Sequence, residues 1–274
     1  MKKIVSLVLA SVMAIVGVFA LTGCKEKTTY VANAIAGIEV EEYGFAVGLN
    51  ASKKTEILAA MNEVISETSI DEVVAYYTAL SKDETPSVTL DFANLADNTA
   101  GTLNVYTCSG FEPYEFIDEN NNVIGVDVYL MELVCEKLNM KINVVDMDFD
   151  GICGKVASED NAVGAAGITI TSERALSVAF SNPYFNSVQY IISTKDQAYT
   201  SLTDLAGKKI GVQKGTTGAM LVDEALQEGG ALYGTGASMV EYDTGAVAYT
   251  ALKQGKIDFV VIDELPAKKL VGAN

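Results

Sequence analysis

The pattern of apolar and polar positions changes period several times along the chain, and each change marks a predicted element. A first helix is predicted over residues 53–66, where apolar side chains recur at helical spacing. The letters SIDE at 69–72 predict a capping box that opens a second helix running to about Leu80. Residues 81–102 are polar and have no sustained period, so we predict that they form a connector.

After residue 102, short apolar runs alternate with helical stretches. Strands are predicted at LNVYT (103–107), KINVVDM (141–147), AVGAAGITI (162–170), VQYIIST (188–194), KKIGVQK (208–214), MVEY (239–242) and IDFVVI (257–262). A helix is predicted between the strands at 103–107 and 141–147. Its apolar stripe is formed by Val126, Leu130, Leu133, Val134 and Leu138. This alternation predicts an α/β architecture with mainly parallel sheets, and a break near 186–190 predicts two lobes.

The start of the chain has the pattern of a secretory signal. A basic MKK precedes an uncharged apolar run, and LTGC ends at Cys24. The cysteine at the predicted cut site resembles a bacterial lipobox, which implies that Cys24 is acylated and tethers the mature chain to the membrane. A permanent transmembrane helix is the alternative, because the apolar run is almost long enough to span a bilayer.

Charge and composition exclude several function classes. The 274 residues include 36 acidic and 19 basic ones, and the net charge of −17 disfavours binding to nucleic acid or anionic lipid. The sequence has no histidine, which removes Ser-His-Asp and Cys-His pairs and ordinary zinc sites. Beside Cys24 there are three cysteines, and this odd number argues against a disulfide framework.

The segment AAGITITSERALSVAFSNPYF (165–185) suggests a binding site for a carboxylate. A predicted strand ends at Gly167, and the chain then exposes Thr169, Thr171 and Arg174. Free amides at the start of a short helix attract an anion, and a guanidinium matches a carboxylate with two parallel hydrogen bonds. The alternative is a surface Arg174 that pairs with the neighbouring Glu173 or with another acid.

Several motifs in one order then point to a family. They are GFEPYEF, IGVDVYLMELVCEKL, MDFDGI, AGITITSER, FSNPYF, DLAGKKIGVQKGTTG and LKQGKIDFVVID, within residues 103–271. With these motifs the chain resembles the bacterial extracellular solute-binding proteins of family 3, the receptors of ABC importers for polar amino acids. The resemblance implies a two-lobed periplasmic-binding-protein-like fold (type II) with hinge strands. It also implies a monomer without enzymatic activity, cofactor or metal, which binds a free amino acid and delivers it to an ABC permease.

The order of the elements departs from that family. The chain stops at VVIDELPAKKLVGAN, and the elements that end the family's proteins stand at the front, in residues 34–82. We interpret this as a circular permutation. The alternative is a truncated member with an unrelated N-terminal domain, in which residues 34–82 would not pack into the sheet of residues 103–170.

The permuted order predicts the following organisation. Residues 1–23 form the signal peptide and 24–33 a tether. Lobe 1 spans 41–186, with the connector at 81–102 inside it. Lobe 2 spans 187–274 and takes a strand from 34–40, and the hinge strands lie near 38–43 and 185–190.

The resemblance also implies how the backbone of an amino acid would be bound. Arg174 would hold the α-carboxylate, together with the hydroxyl and amide of Thr169 and the amides of Gly167 and Thr217. Asp263 would accept the α-ammonium. Its alternative role is to cap the helix that follows.

Four further residues would surround the ligand side chain. Phe111 and Phe149 would flank it with their rings, although core packing is the more usual role of phenylalanine. Gln213 would bond a polar side chain, unless it is merely a strand-end residue. Cys108 stands where relatives with cationic or amide ligands often have an acid, so a neutral or polar ligand is expected.

Two other functions stay open. The same fold hosts a cyclohexadienyl dehydratase, whose chemistry requires a general acid of raised pKa. Glu112 and Asp150 are the candidates for that acid. The third interpretation is a ligand sensor that takes no part in transport.

Overall fold

The structure is a computed structural model that describes residues 28–197 and 199–272. The predicted signal peptide (1–23), Cys24 and the first part of the predicted tether lie outside the described residues. Within the two described ranges, no helix is both long enough and apolar enough to cross a membrane.

The elements alternate as the sequence predicts. The strands are β1 (Tyr30–Ala34), β2 (Glu41–Tyr43), β3 (Ala46–Gly48), β4 (Thr102–Thr107), β5 (Phe116–Ile117), β6 (Val123–Ile124), β7 (Lys141–Asp146), β8 (Ala162–Gly164), β9 (Val178–Phe180), β10 (Phe185–Ser187), β11 (Gln189–Thr194), β12 (Lys209–Gln213), β13 (Ser238–Tyr242) and β14 (Phe259–Asp263). The α-helices are α1 (Lys54–Glu67), α2 (Ile70–Ser81), α3 (Val126–Lys137), α4 (Ile152–Ala157), α5 (Thr217–Leu226), α6 (Gly245–Lys253) and α7 (Glu264–Val271).

Lobe 1 is built on a sheet with the strand order β7-β4-β8-β3-β9. Strand β4 is parallel to β7 and β8, whereas β3 is antiparallel to β8 and β9. Helix α1 packs against α3 and buries Ile57 and Met61 completely. Because β3 lies inside this sheet, residues 34–82 are not the separate N-terminal domain that the alternative interpretation required.

Lobe 2 is built on a sheet with the strand order β1-β11-β14-β12-β13. The predicted strand at 34–40 is wrong in position, because the chain forms β1 at Tyr30–Ala34, all but the last residue of which lies in the predicted tether. Strand β1 pairs antiparallel with β11 along its whole length. It cannot continue further, because Gly37 turns the chain with a φ of 80° and Val40 is 60% exposed.

Two short strands join the lobes at the predicted hinge positions. Strand β2 pairs antiparallel with β10, and Tyr43 lies opposite Phe185. Tyr43 is completely buried, with the rings of Tyr114 and Phe185 5.2 and 6.0 Å from its own. Tyr43 therefore anchors strand β2 in the core of the molecule.

Two local predictions differ from the structure. Helix α2 begins where SIDE predicts, but the Ser69 side chain makes no capping hydrogen bond; only its carbonyl accepts from the Glu72 N–H. The strand predicted over 162–170 ends at Gly164, because the chain there leaves the sheet and turns at Gly167, where φ is 55°. That early end creates the loop on which the candidate site is built.

Candidate functional site

A cavity between the two lobes contains all of the pocket residues predicted from the sequence. Its walls include Cys108, Phe111, Phe149, Gly167, Thr169, Arg174, Gln213, Thr217 and Asp263. Glu115, Ala166 and Thr216 complete the lining. Lobe 1 provides the residues up to Arg174 and lobe 2 provides the rest, so the site is complete only when the lobes meet.

Arg174, the only arginine in the sequence, is held rigidly in this cavity. It opens a short 3-10 helix, Arg174–Leu176, and its N–H donates to the Thr171 hydroxyl at 3.1 Å. Its Nη1 donates to the Thr169 carbonyl at 2.8 Å, and its Nη2 donates to the Gly215 carbonyl of lobe 2 at 3.0 Å. These bonds use two of the five guanidinium donors and leave the others for a ligand.

The guanidinium is a buried charge without an ionic partner. Arg174 is 8% exposed, and burial lowers its pKa. Among the carboxylates of the described residues, none lies within 4.0 Å of it, so it does not form the surface pair with Glu173. Its guanidinium carbon lies 5.3 Å from the centre of the Phe149 ring. A buried guanidinium in this state favours an anion entering the cavity.

Asp263 faces the same cavity from the end of β14. It occupies the position before α7, but its side chain makes no capping hydrogen bond there. One carboxylate oxygen instead accepts from the Tyr43 hydroxyl at 2.6 Å. Burial and the nearby charge of Glu41 raise the pKa of Asp263 to about 7. A cation placed beside it would offset both effects.

Two predicted donors are used elsewhere in the structure. The Gly167 N–H donates to the buried carboxylate of Asp127 at 2.8 Å. The Thr169 hydroxyl donates to Glu41 at 2.7 Å. Because each group has one proton, neither can donate to a ligand carboxylate in this arrangement. The Thr217 N–H starts α5 and has no partner within that helix, so it stays available.

Glu115 is a cavity residue that the sequence interpretation missed. It is 1% exposed, and neither carboxylate oxygen has a hydrogen-bond partner among the described residues. Burial, followed by the nearby charge of Asp127, raises its pKa well above the usual range. The sequence around Glu115 has no motif that marks it as a binding residue. Only its burial in the folded protein indicates that it could contact a ligand.

Cys108 and Gln213 meet across the cavity near Glu115. The Gln213 amide lies 3.5 Å from the Cys108 sulfur, and burial raises the pKa of that thiol to about 11. The thiol is therefore neutral and offers no negative charge. Phe111 packs its ring 5.6 Å from that of Tyr114, and it closes the wall beside Gly167. A side chain at 167 would collide with that ring, 2.6 Å away.

The two acids considered for a dehydratase are not placed as proton donors of the cavity. Glu112 is absent from its lining, and Asp150 forms an ion pair with Lys214 at 2.6 Å. Within residues 28–197 and 199–272, no three acid or cysteine side chains are grouped so that they could hold a metal ion.

Comparison with known proteins agrees with the two-lobed fold. The model of the bacterial extracellular solute-binding proteins, family 3, matches residues 103–231. The ABC transporter arginine-binding protein 1 of Escherichia coli (strain K12) is 28% identical over 61% of this chain and 65% of its own length. The chain therefore spans slightly less than two thirds of that relative.

Solved structures show the same likeness. An ancestral arginine-binding protein bound to arginine matches with a TM-score of 0.58 and 38% identity, over 63% of this chain and 74% of its own. An ancestral amino-acid-binding protein described as a precursor of cyclohexadienyl dehydratase matches with a TM-score of 0.54 and 31% identity, over 61% and 72%. The family and these relatives are binding proteins. The chain belongs to the bacterial extracellular solute-binding proteins, family 3.

Proposed function

We propose that this protein is an extracytoplasmic receptor that binds one free amino acid between its lobes and delivers it to an ABC permease. The observation that carries the proposal is the pair of opposite charges, Arg174 from lobe 1 and Asp263 from lobe 2, buried in one cavity. A zwitterion satisfies both at once. The names of the relatives support transport as the purpose of binding.

The backbone of the ligand would be recognised by groups that the structure leaves available. The unused N–H groups of Arg174 and the Thr217 amide would donate to the α-carboxylate. Asp263 would accept from the α-ammonium. Each bond to a charged group contributes about 1.5–3 kcal/mol net. Neutral solutes of similar size gain neither contribution and would be rejected.

The side-chain end of the cavity favours a cationic ligand. The expectation of a neutral or polar amino acid rested on the missing acid at Cys108, and Glu115 supplies a carboxylate close to that position. A buried acid without a partner is costly, and a guanidinium or ammonium on the ligand would pair with it. Arginine is the ligand in the name or title of two of the relatives above. A neutral amide side chain, bound through Gln213, is the competing ligand class.

A thermal-shift panel of the twenty amino acids tests the receptor proposal. Ligand that binds only the folded state raises the melting temperature by simple linkage. We expect L-arginine or L-lysine to give the largest shift, and Arg174→Ala to abolish it. Lys155→Ala, a surface lysine of lobe 1, serves as the control that keeps the shift. No shift with any amino acid would reject the proposal.

The dehydratase interpretation has one favourable observation, the likeness to the precursor of such an enzyme. It predicts turnover of prephenate or arogenate by the purified protein. We propose binding without turnover, because the family and the relatives above are named as binding proteins. Turnover would have to use a cavity acid of raised pKa, such as Glu115, since neither Glu112 nor Asp150 is placed as a proton donor. Co-purification of permease subunits from detergent-solubilised membranes would separate transport from sensing.

A lipid anchor at Cys24 completes the proposal. LTGC supports acylation of this cysteine, and the anchor would hold a monomeric receptor at the outer face of the cell membrane, close to its permease. Metabolic labelling with a radioactive fatty acid tests this directly. We expect label on the wild-type protein and none on Cys24→Ser.

The chain order supports a circular permutation of the family fold. Strand β3 lies between β8 and β9 in the lobe 1 sheet, and β1 lies beside α7, the last helix described. The matched solved structures cover only 61–63% of this chain, as a comparison in sequence order would if the front segment had moved. Termini close to each other on a surface make such a rearrangement tolerable.

A further inference from the structure

Glu41 connects the two lobes beside the cavity. It lies on hinge strand β2, and its Oε2 accepts a 2.7 Å hydrogen bond from the Thr169 hydroxyl of lobe 1. The same oxygen accepts a second 2.7 Å bond from the Thr217 hydroxyl of lobe 2. Its Oε1 accepts from the Gln189 amide, also of lobe 2, at 3.0 Å. One carboxylate thus binds donors from both lobes.

The position of Glu41 separates it from the ligand space. Thr169 and Thr217 line the cavity, but Glu41 does not; it lines a groove on the opposite side of the two threonines. It therefore does not occupy the place of a ligand carboxylate. Its bonds can form whether or not the cavity is filled.

These bonds depend on closure of the lobes. The two threonine hydroxyls lie 3.4 Å apart, and only in that arrangement can one oxygen accept from both. Opening the lobes would separate Thr217 from Thr169, and the carboxylate would lose at least one charge-assisted bond. Thr217 is also the first residue of α5, where the helix dipole favours a negative charge.

We propose that Glu41 is a positioning residue that latches the lobes together and thereby sets the affinity of the cavity. The inference rests on the proposed receptor function, in which the lobes close on a ligand. The latch stabilises the closed arrangement without ligand, so a larger fraction of the free protein is competent to bind. Apparent affinity rises in proportion to that fraction.

Small-angle X-ray scattering of the ligand-free protein tests the latch. Glu41→Gln keeps the size of the side chain and removes its charge, and we expect its radius of gyration to increase because the lobes part more often. The matched control is Glu42→Gln, an exposed acid on the same strand, which should leave the radius unchanged. Thr217→Val provides a second variant, since it removes the donor from lobe 2 and should give the same increase.

Isothermal titration with L-arginine supplies the second measurement. We expect Glu41→Gln to bind about tenfold more weakly, the loss of roughly one charge-assisted bond, with Glu42→Gln unchanged. An unchanged radius of gyration in both Glu41→Gln and Thr217→Val overturns the latch, as does an equal increase in Glu42→Gln. If the wild-type protein binds no amino acid but Glu41→Gln still opens, the receptor proposal fails and the latch stands.

Discussion

The hydroxyl of Tyr43 donates a 2.6 Å hydrogen bond to the carboxylate of Asp263, and this bond joins the hinge to the ligand cavity. The two residues are 220 positions apart in sequence and both are buried. Tyr43 lies between the aromatic rings of the hinge, so its hydroxyl is fixed. The bond therefore fixes the orientation of the acid that we propose for the ligand ammonium.

Removing this hydroxyl should weaken ligand binding. In Tyr43→Phe the aromatic packing remains, but Asp263 loses a bond that favours its charged form. We expect about a tenfold weaker affinity for the amino acid by isothermal titration, the effect of one charge-assisted bond. Tyr190→Phe is the control, because that hydroxyl bonds Glu264 outside the cavity. Equal affinities of Tyr43→Phe and the wild type would contradict the proposed role of Asp263.

Ligand affinity should depend on pH through Asp263. The pKa of this acid is raised to about 7 in the free protein, and a bound ammonium lowers it. Binding then releases a proton below pH 7, and affinity falls by at most about tenfold for each pH unit below that value. Titrations between pH 5 and 8, in two buffers of different ionisation enthalpy, measure both the affinity and the proton release.

The variant Asp263→Asn provides the internal reference for this prediction. With L-glutamine as the ligand, whose side chain offers no cation to Glu115, its affinity should be low and nearly independent of pH over the same interval. An affinity of the wild type that stays constant, or rises towards pH 5, would show that Asp263 does not pair with the ligand ammonium.

Glu115 should determine which side chain is accepted. We expect Glu115→Gln to reduce affinity for L-arginine by about 10–100-fold, since an acid that can ionise beside the ligand cation is replaced by an amide that cannot. Affinity for L-glutamine should change much less. Glu112→Gln, in the same loop but outside the cavity lining, is the matched control. Equal losses for both amino acids would show that Glu115 does not contact the ligand side chain.

The two acids beside the cavity show what sequence patterns can and cannot predict. Glu41 and Glu115 were not identified, whereas Arg174 and Asp263 were. The resemblance to the family predicted the latter two, and helical or strand periodicity predicted most elements after residue 102. The role of Glu41 arises from Thr169 and Thr217, which are 128 and 176 residues away. Periodicity reports only local neighbours and gives no signal for such contacts.

The same reason explains the errors. The Gly167 amide belongs to a loop with free donors when only residues 165–185 are considered. Asp127, 40 residues earlier, occupies that donor in the folded protein. The misplaced strand at 34–40 has a similar cause, because β1 is selected by its pairing with β11 and not by the apolar character of its own residues.

The free protein should lose stability as the pH rises. Burial raises the pKa of Asp127 to about 7, although Tyr184 and the Gly167 amide bond to it. The folded chain therefore holds a proton that the unfolded chain releases near pH 4. The contribution of Asp127 to the free energy of unfolding is largest below that pH and falls by up to about 4 kcal/mol between pH 4 and 7.

Urea unfolding at pH 5 and pH 8 measures this effect. We expect the difference between the two pH values to shrink in Asp127→Asn, and to persist in Asp97→Asn, where the acid is exposed. A wild-type protein that is as stable at pH 8 as at pH 5 would show that folding does not raise the pKa of Asp127.

Restoring the family's element order should leave the fold and the ligand unchanged. A variant that starts at Thr102, continues to Asn274 and is joined through a short glycine linker to residues 28–101 keeps every strand pair and both cavity walls. Because α7 packs beside β1, a short linker should suffice, and the free energy of unfolding should change by no more than about 2 kcal/mol. A control chain with new ends at Val163, inside the central strand β8, should not fold, since it splits the lobe 1 sheet. If the restored order unfolds while the natural order binds its amino acid, the front segment is not a displaced C-terminus, and the resemblance of its motifs must have another origin.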